Sequence, residues 1–180
     1  MKCLAIDTET TALIDSPLKP EERQPYVTEF CGILVDLSSG AVLEEYSTLV
    51  KPLRFDAITD KIVKITRITR DMLSSAPLFV KVADKIKEMI ESAEMVAAHN
   101  LSFDRRVIDV EFKRINKFVN WPRRLVCTVE QTVHIKGYRL DLSSLHAALL
   151  GIDFADAHRA DVDTKALVRC LVEMKQRDWL

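Results

Sequence analysis

The sequence has no surplus of either charge: 26 Lys and Arg stand against 27 Asp and Glu, a formal net charge of −1 over 180 residues. A chain this balanced lacks the overall basic field of histone-like or zipper-type binders, so any polyanionic substrate has to be held by a local patch or by metal ions. It has no C-x-x-C pair. Cys3, Cys31, Cys127 and Cys170 are scattered, three of them inside apolar runs, and read as reduced thiols of an intracellular protein. No basic segment leads into a long apolar run at the start, and no stretch approaches the ~18 apolar residues of a membrane span. A soluble, cytoplasmic protein without a membrane partner is expected. Repeats, low-complexity stretches and linkers are also missing, and 48% hydrophobic against 29% charged content predicts one globular domain over residues 1–180.

Local pattern supplies a coarse order of elements. An apolar run at residues 3–6 leads into Asp7-Thr8-Glu9-Thr10 and reads as an opening strand. Residues 11–25 carry Pro17, Pro20 and Pro25 among charged side chains and predict a long exposed loop. Residues 26–36 and 42–51 are rich in β-formers around Ser38-Ser39-Gly40 and predict a hairpin. Residues 61–75 predict short helices, the later one capped by Thr69. Residues 77–93 predict an amphipathic helix through Phe79, Val82, Ala83, Ile86, Met89 and Ile90. A buried strand at 95–98 ends at His99-Asn100, and a helix follows from Ser102, with Ser102 or Asn100 as cap. A short strand at 125–127, helices at 128–134 and 142–150 with Gly151 as C-cap, and a last helix from about 159 to 175 complete the chain. Strands followed by helix–strand–helix units predict an α/β fold with a mixed central sheet flanked by helices.

Three stretches put carboxylates where such a fold can gather them. On a strand, Asp7 and Glu9 point the same way, and two like charges a few Å apart invite a divalent cation; a polar strand end running into a turn is the simpler reading. Asp104 falls in the first turn of the helix after His99-Asn100, where the helix dipole alone favours a carboxylate. Asp163 lies on a largely apolar helical face, a costly position unless it is paired or metal-bound. His158, five residues earlier, reads either as a polar cap or as a functional histidine.

Taken in order, Asp7-Thr8-Glu9-Thr10-Thr11, Ala98-His99-Asn100 with Phe103-Asp104, and His158-Arg159-Ala160 with Asp163 resemble the three motifs of the DEDDh family of 3′-to-5′ exonucleases. These are the DnaQ-like proteins of the ribonuclease-H-like fold, which include the proofreading epsilon subunit of bacterial DNA polymerase III and ribonuclease T. Ile68 to Leu73 followed by Pro77, and Leu142 to Leu145 through Gly151-Ile152, extend the likeness over essentially the whole chain.

The resemblance implies a three-layer ribonuclease-H-like enzyme that hydrolyses phosphodiester bonds at the 3′ end of a single strand and releases nucleoside 5′-monophosphates. Asp7, Glu9, Asp104 and Asp163 would hold two divalent cations, with His158 as general base. Hard oxygen ligands suit Mg²⁺ or Mn²⁺, and no Cys/His cluster has zinc spacing. By position Thr10, Ala12 and Leu13 would contact the terminal nucleotide, with Asn100 and Phe103 on the other side and Arg159 on the backbone. Ala12 stands where the family commonly has Gly. The proline-bearing loop reads as a lid that uses Lys19 and Arg23 on phosphates, or as an inert insertion. Single-stranded DNA is expected ahead of RNA, with an RNA-trimming nuclease as the alternative and a non-catalytic binding module as the remote one, since all four carboxylates and His158 are present. With the last helix ending near Arg177, a free-standing enzyme, or one docking on a replication or repair protein through its domain surface, is expected.

Overall fold

The computed structural model describes residues 1–14, 20–152, 154 and 158–180, without the side chains of Glu22, His134 and Ile135. Strands β1 (Lys2–Thr10), β2 (Val27–Asp36), β3 (Ala41–Leu49), β4 (Met95–Ala98) and β5 (Arg124–Cys127) form one sheet in the order β3-β2-β1-β4-β5. The hairpins β1–β2 and β2–β3 are antiparallel, while β4 and β5 run parallel to β1, which makes the expected mixed sheet.

Period two along β1 decides what each face receives. Leu4 and Ile6 join Phe30, Leu34, Val96 and Ala98 under helices α3 (Phe79–Ser92) and α4 (Leu101–Arg114), against Val82, Ile86, Met89, Ile90, Val107, Ile108 and Phe112. Cys3 and Ala5 face the other way with Cys31, Ile33, Val35 and Ala97, and receive Leu167, Val168 and Leu171 of α7 (Ala160–Gln176). Each such buried aliphatic side chain contributes about 1.5–3 kcal/mol. Helix α6 (Leu142–Leu150) packs Leu145 and Leu149 on Cys170 and Met174 of α7, and ends at Gly151 in the left-handed region. Short helices α1 (Asp60–Thr66) and α2 (Arg70–Ser74) are capped by Thr59 and Thr69, and α5 (Thr128–Lys136) follows β5 directly.

Three local expectations are corrected. Helix α3 starts at Phe79 rather than Pro77, because the Pro77 carbonyl accepts from Lys51 N and Leu78 bridges to Lys51, so this dipeptide serves the sheet margin. No side chain caps α4: Asn100 takes the N-cap position at φ +83°, and Ser102 Oγ instead donates to Asn100 Oδ1. The proline loop is not exposed throughout. Its return limb, Gln24 to Tyr26, is buried, with Arg114 of α4 donating to the Glu21, Gln24 and Pro25 carbonyls while lying over the Tyr26 ring at 3.8 Å. Residues 15–19, including Lys19, lie outside the described residues.

Candidate active site

Because Asp7 and Glu9 continue the Cys3–Ala5 face, they point toward α7, and Asp163 comes from the first turns of that helix to meet them. Ligand oxygens of these three carboxylates lie within 4.8 Å of one another, the one such cluster of potential metal ligands among the described residues. Asp163 also accepts from the backbone N–H of His158 at 2.9 Å, so one side chain both joins the cluster and closes the turn before its own helix. His158 sits in that turn at φ +71°, its side chain exposed. Asn100 and His158, at two of the three motifs, are thus both non-glycine residues in the left-handed region; asparagine and histidine tolerate it better than most, and such strain gathers at functional sites.

Asp104 stands apart from the trio. It is 2% exposed and belongs to α4, on the opposite face of the sheet, where Thr8 Oγ1 donates to its carboxylate at 2.8 Å. Its charge still reaches Asp7. Burial first, then Asp104, Glu9 and Asp163, push the Asp7 carboxyl well above the ordinary range. Burial and then Asp163 and Glu29 raise Glu9 to about 8, burial raises Asp104 to about 7 against the pull of the Thr8 bond, and burial raises Asp163. Burial and mutual repulsion that disfavour the charged forms make a site that a cation fits. All ligands are hard oxygens, which suits Mg²⁺ or Mn²⁺ and not a thiolate-seeking metal.

A cavity of about 330 Å³ opens beside the trio, lined by Asp7, His99, Asp141, Leu142, Phe154, His158 and Asp163 among others. His99 is half-buried, its Nδ1 lies 2.9 Å from Thr128 Oγ1, and burial depresses its pKa. Thr10 is buried and its hydroxyl donates to the Ala12 carbonyl at 2.7 Å, which fixes the turn after β1. Ala12 and Leu13 are exposed, Leu13 by 82%. Ala12 is not among the left-handed residues, so the missing glycine costs this turn nothing. Ala12 and Leu13 line a second cavity of about 430 Å³ with Arg23, Tyr26 and Arg54, and it shares no lining residue with the first. Asn100 is exposed and Phe103 half-buried.

Arg159 is turned inward. Its Nη2 and Nε donate to the buried Glu29 of β2 at 2.7 and 3.1 Å, and Ala160 N donates to the same carboxylate at 3.0 Å. Glu29 is the residue of the site that the sequence reading missed, although a signal was there. An acid inside a run as apolar as residues 27–35 has to be paired, and it sits opposite Glu9 in the β1–β2 register.

A family of exonucleases, the RNase T group, matches residues 4–171. The chain belongs to this exonuclease family. Relatives include the PolC-type DNA polymerase III of Staphylococcus epidermidis and of Staphylococcus aureus, each 28% identical over 176 residues, which is 97% of this chain and 11% of the polymerase. The exonuclease chain therefore spans about a tenth of the length of those relatives. Among solved structures, a 3′-exonuclease described for 3′-end-specific recognition of a histone mRNA stem-loop superposes with a TM-score of 0.78 at 16% identity, over 98% of this chain and 82% of that one. Exonuclease X in complex with 5′-overhanging duplex DNA gives 0.71 at 23%, over 99% and 94%. The nuclease domain of 3′hExo, a DEDDh family member bound to rAMP, gives 0.77 at 16%, over 98% and 92%. The fold is thus ribonuclease-H-like, and the family chemistry uses divalent metal ions. No helix among the described residues is long and apolar enough to cross a membrane.

Proposed function

We propose that this exonuclease removes nucleotides from the 3′ end of single-stranded nucleic acid, DNA ahead of RNA, using Mg²⁺ or Mn²⁺ and releasing nucleoside 5′-monophosphates. The observation that carries the reading is the meeting of Asp7, Glu9 and Asp163 beside a cavity that also holds His158. These carboxylates and Asp104 would hold divalent ions, which would supply charge neutralisation at the scissile phosphate and activation of a water.

The chain's own groups do the remaining work. His158 accepts the proton of the attacking water at an imidazole nitrogen, and its solvent exposure lets it pass that proton on. Asp163 holds His158 through the backbone N–H, leaving the ring free for this task. Asp104, kept in place by the Thr8 hydroxyl and near enough to act on Asp7, would complete the ligand set. Thr10 holds the turn, and Leu13 offers apolar surface to the terminal base; stacking and phosphate charge give such binding little sequence preference. Asn100 and Phe103 line the opposite side. Arg159 acts on the strand indirectly, by holding the start of α7 on Glu29.

DNA is favoured by the PolC-type polymerase relatives, which also support a replication or repair protein as partner. The domain is read as residues 1–180. The test is incubation of 5′-labelled single-stranded DNA and its RNA counterpart with Mg²⁺, Mn²⁺ or EDTA, for wild type and Asp7→Ala. Shortening from the 3′ end that needs both metal and Asp7 is expected. Digestion of RNA alone would reverse the polymer assignment, and no digestion of either polymer under any metal would leave a binding module on a nuclease fold.

A further inference from the structure

One wall of the cavity that His158 lines is held by a buried imidazole with no part in the proposed reaction. His146 of α6 is 1% exposed. Its Nδ1 lies 2.9 Å from the Ile152 carbonyl oxygen, and its Nε2 lies 2.9 Å from Arg169 Nε on α7. A guanidinium only donates, so Nε2 must present its lone pair, which leaves the proton on Nδ1 to be donated to the carbonyl. Geometry alone therefore fixes the tautomer. The same ring meets Phe154 at a centroid distance of 5.3 Å and an interplanar angle of 63°. Phe154 in turn lines the cavity shared by Asp7, His158 and Asp163.

Described residues after α6 and before α7 are thus held separately. Downstream, the His158 backbone is bonded to Asp163 and Arg159 to Glu29; upstream, His146 takes one backbone carbonyl and one aromatic ring. A histidine used only to fill the space between α6 and α7 would need neither the exposed Arg169 turned onto it nor contacts at two positions beyond the Gly151 helix end.

We propose that His146, held in one tautomer by Arg169, is a positioning residue that sets the Phe154 wall of the cavity in which His158 acts. The proposal rests on His158 acting as the base. General-base catalysis is worth roughly 10²–10⁴-fold, and a displacement of about 1 Å forfeits a large part of that. His146 acts by fixing the Phe154 ring, and with it where the nucleotide meets His158.

The experiment is a double-mutant cycle on the full chain, with 5′-labelled single-stranded DNA, Mg²⁺ and pH 8. His146→Ala is expected to lower kcat by about 10- to 100-fold with KM within about three-fold, the signature of a displaced base. In a His158→Ala background the same change is expected to cost less than about two-fold, because an absent base cannot be displaced. His146→Asn, which keeps a donor near the Nδ1 position, recovers most of the rate. Arg169→Leu, at an exposed position, moves kcat the same way by a smaller factor and carries the cycle should His146→Ala fail to fold. Losses that multiply in the His158→Ala background, or a wild-type kcat in both His146→Ala and Arg169→Leu, overturn the proposal. A wild-type rate for His158→Ala alone would instead remove the base assignment, a separate outcome.

Discussion

Replacing Glu29 with glutamine asks whether the exonuclease site is braced from the second strand of the sheet. The Glu29 side chain is 3% exposed and its two oxygens take three donors, Arg159 Nη2 and Nε and Ala160 N. Glutamine has the same shape but turns one acceptor oxygen into an NH₂ group, which then faces an N–H that it cannot accept from. Truncating one partner of a buried ion pair costs about 3–5 kcal/mol. Arg159 keeps 29% of its side chain in solvent, so water takes up part of the loss, and about 2–3 kcal/mol is the better figure. An opposing effect is present, since the Glu29 charge helps to raise the carboxyls of Glu9 and Asp7 and its removal relaxes that repulsion. It stands behind burial for both groups and cannot cancel the main loss.

At about 2–4 °C per kcal/mol for a chain of this size, Glu29→Gln should melt roughly 5–10 °C below wild type in EDTA at pH 7.5. The rate should fall as well, by about ten-fold or more with Mg²⁺, because Arg159 and Ala160 stand between His158 and Asp163 and the base would lose its fixed approach. Thermal melts and single-strand digestion on the same preparations give both numbers. Melting within 1 °C of wild type together with an unchanged rate would refute the bracing and leave Glu29–Arg159 as an ordinary ion pair.

Other consequences can be checked on the same preparations. Metal-free protein should lose stability as pH rises: Glu9 titrates near 8 and Asp104 near 7 in the fold, against about 4 in an unfolded chain, so their stabilising contribution is whole below about pH 4 and is lost as pH climbs through those folded values. Urea unfolding in EDTA between pH 5 and 8.5 measures this, and a flat or rising profile would contradict it. Adding Mg²⁺ at about 100 times its dissociation constant should restore about 2.7 kcal/mol, and more visibly at pH 8 than at pH 5.5. Asp7→Asn should melt above wild type in EDTA at pH 8, lose that advantage at low pH, gain little from Mg²⁺ and digest at least about 10³-fold more slowly. Leu13→Ala, at a position 82% exposed, should leave the melting temperature within about 1 °C and raise KM several-fold in a strand titration.

What was legible in the sequence is what short-range periodicity encodes. Period two placed Asp7 and Glu9 together on β1, and period 3.6 drew the buried stripes of α3 and α7, since each side chain's direction is set within a few residues. The features that escaped are all made at long range. Glu29 finds Arg159 130 residues away, and Arg114 clamps the return limb of the proline loop from 89 to 93 residues away, so no local pattern marks that limb as buried. The Asn100 cap failed on backbone conformation: at φ +83° the residue is outside the extended region typical of a capping side chain, and its Oδ1 takes the Ser102 hydroxyl instead of a helix amide.

These long-range contacts have a common physical cause. Carboxylates that crowd together on β1, α4 and α7 repel one another, which adds to burial in raising the Asp7 and Glu9 carboxyls, and repulsion acting on three separate elements tends to spread them. A cation relieves this only while it is bound. Between turnovers the distances have to be kept by contacts that do not depend on metal: Thr8 on Asp104, the His158 amide on Asp163, Glu29 on Arg159, and His146 on Ile152 and Phe154. Each uses a group outside the ligand trio of Asp7, Glu9 and Asp163 or a backbone amide, so each survives metal release. Removing one brace should therefore lower metal affinity and rate together even though every ligand remains in place, whereas removing a ligand should abolish the rate while making the metal-free fold more stable.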